Sequence, residues 1–429
     1  MTTPISERPT APPEFNPTGT AALRDPASMY MQARTDNPVF WSPDLHTWIV
    51  TRRDDVDAVL MDWESFSCLG NGGSIPVPEG FAEVVPSSLM SKIMISMDPP
   101  EHTEARRVAQ RGFLKPAIDA LVPEIEARAH RIIDGFAASG AVDLMEEYCL
   151  ELTTQTLMAL LGLGDEDEQL MRTLRDDHFA ILASGREPME EPRRTQVWDR
   201  YARAQLRLRA LVEERREGSG NDIITTMATA RNRAGGPALS AERIAMHLTE
   251  FSAAGTDTTA QAIANAILFL SASPEQLAQA QADSSLWPRV IEETVRRRPS
   301  APFASRQATR DVKISGVSVA KGDMLWLALA SANTDPSHVK EPGEWNIHRE
   351  NPEDHYAFTK GRHACLGQPL GRAQGAAALR VLFSRLPSLR AVPDAPQDFL
   401  PLAMLPIRRN LAVEWNSGDA QAQGPGQAS

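Results

Sequence analysis

The chain has 429 residues, enough for one large domain or two smaller ones, and its apolar (42%) and charged (23%) fractions are ordinary for a globular protein. A formal net charge of −12 argues against a nucleic-acid-binding protein, which needs a basic surface to meet phosphates. Three cysteines, Cys68, Cys149 and Cys365, are too few and odd in number for a disulfide framework, so a reducing, cytoplasmic setting is expected.

The start, Met1 to Pro17, is polar and proline-bearing, without the charged and apolar regions of a secretory signal. Residues 1–20 and 416–429 are expected to be a flexible N-terminal tail and a disordered C-terminal tail around one large domain, 21–415. Helical periodicity predicts helices near 26–35, 53–60, 101–112, 117–138, 143–162, 165–184, 191–217, 240–272, 286–298 and 366–386. Short strands are expected at His46–Thr51, Val312–Val319, Met324–Leu327 and Leu411–Glu414. Nowhere is there an apolar run of about 18 residues, the length that spans a bilayer. Two long irregular loops, Cys68–Met97 and Asp335–Ala357, have the length at which loops usually serve a function. The fold class expected is mainly α with a small β region.

Four constellations bear chemistry. In Phe358-Thr-Lys-Gly361-Arg-His363-Ala-Cys365-Leu-Gly367 one thiol stands between glycines just before a predicted helix, where unpaired N–H groups and the helix dipole favour a thiolate. Taken alone, Cys365 reads as a buried structural cysteine or as an axial ligand to haem iron. Glu293-Thr-Val-Arg296 puts acid and base on one helix face, as a solvated surface pair would also. Ala254-Gly255-Thr256-Asp257-Thr258-Thr259 gathers poor helix formers in mid-helix, either as a simple kink or as a functional break. His102 and Arg106 share a face at i and i+4, which alone describes any charged helix. The other histidines lack metal-site spacing, and no P-loop, dinucleotide fingerprint or nucleophile elbow is present.

Taken together, these motifs, in this order and over roughly Asp25 to Trp415, resemble the cytochrome P-450 superfamily, whose haem is held by a cysteine thiolate. The family usually has glycine where this chain has Thr359. The resemblance implies the superfamily's mostly helical single-domain fold and one non-covalent haem b. It implies Cys365 as iron ligand within a cradle of Phe358, Gly361 and Gly367, and His102, Arg106, Arg306 and His363 as partners of the haem propionates. Ala254 and Gly255 would leave room beside the haem, with Asp257 and Thr258 as the acid–alcohol pair that relays protons to oxygen. Glu293, Arg296 and Arg349 would form a buried network supporting the haem pocket, with Trp345 and Asn346 where the family more often has Phe and Asp.

The activity implied is a monooxygenase that inserts one atom of O2 into a hydrophobic organic substrate. Electrons would come from NAD(P)H through a separate ferredoxin and reductase, docking where Lys360, Arg362 and Arg372 flank the cysteine loop. Family positions facing the substrate fall in the loop 68–97 with Met90, Met94 and Met97, and at Phe179–Leu182, Phe251–Ala254, Phe303–Ala304 and Leu402–Met404. Oxidative coupling or ring formation, peroxide-driven oxidation and non-catalytic haem binding are the alternatives. Neither nucleic acid nor membrane is an expected partner.

Overall fold

The computed structural model describes residues 8–12, 15–69, 75–85, 93–185, 187–400, 402, 404–416 and 418–419. Met90, most of the expected terminal tails, and part of the loop 68–97 lie outside the described residues. In chain order the helices are α1 (Thr20–Arg24), α2 (Met31–Asp36), α3 (Arg53–Met61), α4 (Glu101–Ala109), α5 (Lys115–Phe136), α6 (Glu151–Leu161) and α7 (Glu168–Ala183). They continue as α8 (Arg193–Glu214), α9 (Ile223–Thr229), α10 (Ala241–Ala272), α11 (Pro274–Ala282), α12 (Trp287–Arg297), α13 (Leu329–Ala332) and α14 (Gln368–Arg385). The strands are β1 (Val39–Ser42), β2 (Thr47–Val50), β3 (Phe66–Ser67), β4 (Ala141–Asp143), β5 (Phe303–Ala308) and β6 (Val312–Ile314). After them come β7 (Val317–Val319), β8 (Met324–Ala328), β9 (Arg390–Ala391), β10 (Phe399–Leu400), β11 (Ile407–Arg408) and β12 (Ala412–Glu414).

Two compact units emerge. The first comprises Met1–Phe66, Ile118–Thr153 and Asp257–Ser429; the second comprises Ser67–Ala117 and Thr154–Thr256. In the first, five strands run in the order β1-β2-β8-β5-β3, with β2 and β8 parallel and the β1–β2 and β5–β8 pairs antiparallel. Strand β2 is buried along its whole length, because its alternating residues feed two different cores. Trp48 and Val50 join Val39, Val56, Leu60 and Leu325 on one side. Ile49 joins Tyr30, Phe40 and Phe303 on the other. The register of β5 with β8, Arg306 opposite Leu325, carries Arg306 into this sheet with only 4% of its surface exposed. Within the span expected to be an N-terminal tail, Trp41 N donates to the Pro9 carbonyl and Phe15 packs edge-on against Phe40.

Helices α12 and α14 lie close together in the same unit. Trp287 stacks on Phe383 at 5.7 Å, and a Cβ on Gly375 would stand 2.7 Å from Ile291 Cδ1, so a larger residue there would have to push the Ile291 side chain aside. The second unit is helical, its rings forming a chain in which Phe81 stacks on Trp198 and His178 on Tyr201. Gln205 Nε2 donates to Thr249 Oγ1 at 2.6 Å across α8 and α10.

Most expected helices stand within two or three residues of their predicted ends. The segment expected as a helix from 143 departs: β4 ends at Asp143, a π-helical turn fills Met145–Leu150, and α6 starts only at Glu151. Unexpected α9 is short and threonine-rich, a poor helix by propensity. It is stabilised by the Asp222 carboxylate accepting from Thr225 N at 2.8 Å and by burial of Ile223, Ile224 and Met227. Helix α10 continues through Ala254–Thr259. There Thr256 Oγ1 donates to the Ser252 carbonyl four residues back.

Candidate functional site

The loop before α14 is shaped by its own backbone. Thr359 N donates to Tyr356 O (2.9 Å), Cys365 N to Phe358 O (2.8 Å) and Ala364 N to Gly361 O (3.1 Å), folding the chain into a tight pleat. Gly361 sits at φ +71°, and a Cβ there would meet the Leu60 carbonyl at 3.0 Å. Thr359 also takes a left-handed φ of 54°, rare for a β-branched residue. Its hydroxyl donates to the His363 carbonyl at 2.9 Å, tying one end of the loop to the other.

Cys365 emerges from this pleat just ahead of the first turn of α14, which Gly367 caps and Pro369 opens. Its side chain is exposed, whereas Cys68 and Cys149 are buried. Burial pushes the Cys149 thiol far above its ordinary range and keeps it protonated. Gly367 leaves the space beside the Cys365 sulfur clear, since a Cβ there would be 4.0 Å from Sγ.

Two charge networks stand behind the loop. Glu293 is fully buried and accepts from Arg296 at 2.7 and 2.8 Å, from Arg349 at 3.1 Å and from Asn346 N at 2.9 Å. Arg296 spends its remaining donors on the carbonyls of Asn333, Pro342 and Glu344. The solvated-pair reading of Glu293 and Arg296 therefore fails. Trp345, buried, stacks on Phe269 and donates to Thr294 Oγ1 at 3.2 Å.

The second network was not anticipated. Glu292, next to Glu293, accepts from Arg372 Nε at 2.5 Å and pairs with His355 Nε2 at 2.9 Å. Ala357 N donates to His355 Nδ1, so the ring proton lies on Nε2 and points at Glu292. Burial raises the Glu292 pKa, but the hydrogen bonds from His355 and Arg372 outweigh it and hold the carboxyl below its usual range. Arg372 also lies over the Phe358 ring at 4.7 Å. The only trace of this network in the sequence is the doubled acid at 292–293, with His355 far away in the chain.

On α10, Ala254 is exposed and Gly255 and Thr258 are half-open in a helix otherwise largely buried, while Asp257 is 3% exposed. In the first unit Thr259 stands near the cysteine loop: a Cβ on Gly371 would lie 3.6 Å from Thr259 Oγ1 and 3.9 Å from the Phe358 ring. Arg306 donates to the Ser305 carbonyl at 2.7 Å and pairs with no carboxylate among the described residues. His363 closes the 3₁₀ turn Gly361–His363, half-buried. In the second unit His102 is 2% exposed and Arg106 half-buried on one face of α4, with Glu104 turned outward. Candidate substrate-facing residues are mostly packed in cores: Phe179, Met94 and Met97 are buried, Phe251 meets Phe113 edge-on, and Phe303 lies between Tyr30 and Trp326.

These residues pass a physical test for haem. An exposed thiol at a helix N-terminus offers an iron ligand, and among the described residues the buried Arg306 guanidinium has no carboxylate partner of the kind a propionate supplies. The class so defined is a haem-thiolate protein of mainly helical fold with small sheets. The family model for cytochrome P450 matches residues 84–406, and the chain belongs to that family. It is 30% identical over 356 residues to cytochrome P450 107B1 of Saccharopolyspora erythraea, covering 82% of this chain and 85% of that one. It superposes on the structure of CYP109Q5 from Chondromyces apiculatus with a TM-score of 0.81 at 28% identity, covering 94% and 98% of the two chains. CYP109B1 from Bacillus subtilis gives a TM-score of 0.76 at 27% identity, covering 91% and 99%. The protein is thus a P450 monooxygenase with haem b as its cofactor. No helix among the described residues is long and apolar enough to cross a membrane.

Proposed function

We propose that this enzyme is a cytoplasmic monooxygenase acting on a hydrophobic small organic molecule, with electrons from NAD(P)H arriving through a separate ferredoxin and reductase. The observation that carries the reading is the exposed Cys365 thiol at the start of α14, in the same unit as Asp257, Thr258 and Arg306. When bound, the haem supplies the iron at which O2 is activated, with the cysteine thiolate donating electron density. Cys365 would be the residue that holds that iron. By the family resemblance Arg306, His363, His102 and Arg106 would neutralise the two propionates, and charge-assisted bonds of this kind are strong in a partly desolvated site. Ala254 and Gly255 would leave room for the haem. Thr258 offers a hydroxyl that can hand a proton on, and the buried Asp257 carboxyl beside it can replace that proton.

The electron donor would meet Lys360 and Arg362. Arg362 lies over Trp63 at 4.4 Å, and Lys360 over the Tyr356 ring at 4.2 Å. Arg372, the third cation of that expectation, is committed to Glu292 and is better read as structural. The test uses the purified haem protein. The reduced carbon monoxide complex should show the red-shifted Soret band of thiolate ligation, and Cys365→His should abolish it. Ferredoxin-driven turnover of an apolar substrate, weakened by reversing Lys360 and Arg362, completes the reading. Turnover with hydrogen peroxide but none with reduced ferredoxin would refute it.

A further inference from the structure

Helix α10 carries three polar residues on one face of its first half, Arg243, His247 and Glu250, at i, i+4 and i+7. The segment Ile93–Met97 meets both ends of this face. Arg243 Nη2 donates to Met97 Sδ at 3.4 Å. At the other end the Glu250 carboxylate acts as a fork: Oε2 accepts from Met94 N at 2.8 Å and Oε1 from Ile95 N at 2.9 Å. Between them His247 is fully buried, its Nδ1 3.3 Å from Glu250 Oε2 and its ring stacked on Phe251. All of these groups belong to the second unit.

The fork answers a need that the segment creates for itself. Met94–Ser96 is a single 3₁₀ turn. Its internal bonds, Ser96 N to Ile93 O at 3.1 Å and Met97 N to Met94 O at 3.3 Å, leave the N–H groups of Met94 and Ile95 to be satisfied from outside. A carboxylate that accepts from backbone N–H groups makes charge-assisted bonds, about twice as strong as neutral ones. The next residue, Asp98, is fixed separately, accepting from Ser67 Oγ at 2.5 Å and from Cys68 N at 2.9 Å. The segment is therefore a strap with a firm end at Asp98 and a polar clasp at Glu250. Within it Ile93, Met94, Ser96 and Met97 are buried, whereas Ile95 is 52% exposed.

Two hydrogen bonds to a side chain with 13% of its surface exposed can open to water and close again without unpacking a core. We propose that Glu250 is a latch: its bonds to Met94 and Ile95 hold the strap on α10 and limit the rate at which ligand enters and leaves the enzyme. The proposal rests on the reading of the loop 68–97 as substrate-facing, and it makes Glu250 a positioning residue that acts through the strap.

The experiment uses the haem-loaded protein and its Glu250→Gln variant, which keeps the shape but turns one acceptor into a donor. Hydrogen–deuterium exchange read by mass spectrometry follows the amides of Met94 and Ile95, and stopped-flow absorbance follows the binding and release of phenylimidazole at the haem. Losing one charge-assisted bond should speed exchange at the strap by roughly 10- to 100-fold, with exchange in α14 unchanged. Association and dissociation of phenylimidazole should rise together, so that Kd moves by less than about threefold. Because Glu250→Gln can lower the yield of holoprotein, Glu250→Asp provides a second arm. It keeps the charge, is one methylene too short to reach both N–H groups, and should show the same two increases. Unchanged exchange at Met94 and Ile95 in these variants refutes the latch. Faster exchange with unchanged ligand rates refutes the substrate-facing reading of this loop, and the gating with it. A changed Kd at an unchanged association rate would make Glu250 a direct ligand contact and overturn the proposal.

Discussion

Replacing Glu293 by glutamine tests the buried network most directly, because shape is conserved and only charge and two acceptor sites are lost. In the native protein the Glu293 carboxylate accepts from two guanidiniums and one backbone N–H, and it is fully buried, with Arg296 1% exposed. Glutamine keeps one carbonyl oxygen, but its amide N–H groups face other donors. Arg296 and Arg349 are left with no counter-charge at this carboxylate. Removing one partner of such a buried pair costs roughly 3–5 kcal/mol, a large part of the 5–15 kcal/mol that typically separates folded from unfolded protein. By contrast, Asp199→Asn breaks a pair with Arg203 whose side chains are 47% and 77% exposed, and should cost no more than about 1 kcal/mol. Urea midpoints and the ratio of haem to protein absorbance in purified material measure both effects. A Glu293→Gln protein with normal haem content and a midpoint like that of Asp199→Asn would refute the reasoning.

Thr258→Ala should uncouple electron use from product, so that NAD(P)H is consumed and hydrogen peroxide released; unchanged coupling removes the proton-relay role. At Thr359, glycine relieves about 1–2 kcal/mol of left-handed strain. It also loses a hydrogen bond worth about 1 kcal/mol and gains unfolded-state entropy, so Thr359→Gly should be nearly neutral. Thr359→Val keeps the strain without the bond and should lower Tm and speed haem loss; a Val variant as stable as wild type contradicts this account. Two buried groups set the acid limit. Burial holds His178 neutral, from 6.5 down to about 4, with Glu250 pulling the other way. The unfolded chain therefore binds this proton first, and stability falls as pH drops from 6.5 towards 4, by roughly 3 kcal/mol in all. Below 4.5 the ionised Glu292 adds its own loss as its folded, depressed pKa is approached. Unfolding free energies across that range should flatten above pH 4.5 in His178→Gln and below it in Glu292→Gln; slopes unchanged from wild type would rule the assignment out.

The long helices were legible because their apolar residues recur with helical period over many turns, as in α10 and α12. Short elements were not. Helix α9 exists because Asp222 caps it and the unit buries Ile223, Ile224 and Met227, neither of which shows in propensity. The cysteine loop was legible for a related reason. The left-handed backbone at 361 requires glycine and the first turn of α14 tolerates proline, so local geometry left its mark on residue type.

The sequence by itself determined what depends on near neighbours: which thiol heads a helix, which acid and base share a helical face, where small residues gather within α10. Tertiary structure alone decided which charges are paired and which are left over. Glu292 lies 63 residues from His355 and 80 from Arg372, and Arg298 comes beside Arg408 through two residues of α10. The energy of an ion depends on distance and on water exclusion, and neither is written in sequence order. The same seven-atom side chain is a structural clamp at Arg296, an exposed cation over Trp63 at Arg362 and a buried group over the Phe399 ring at Arg408.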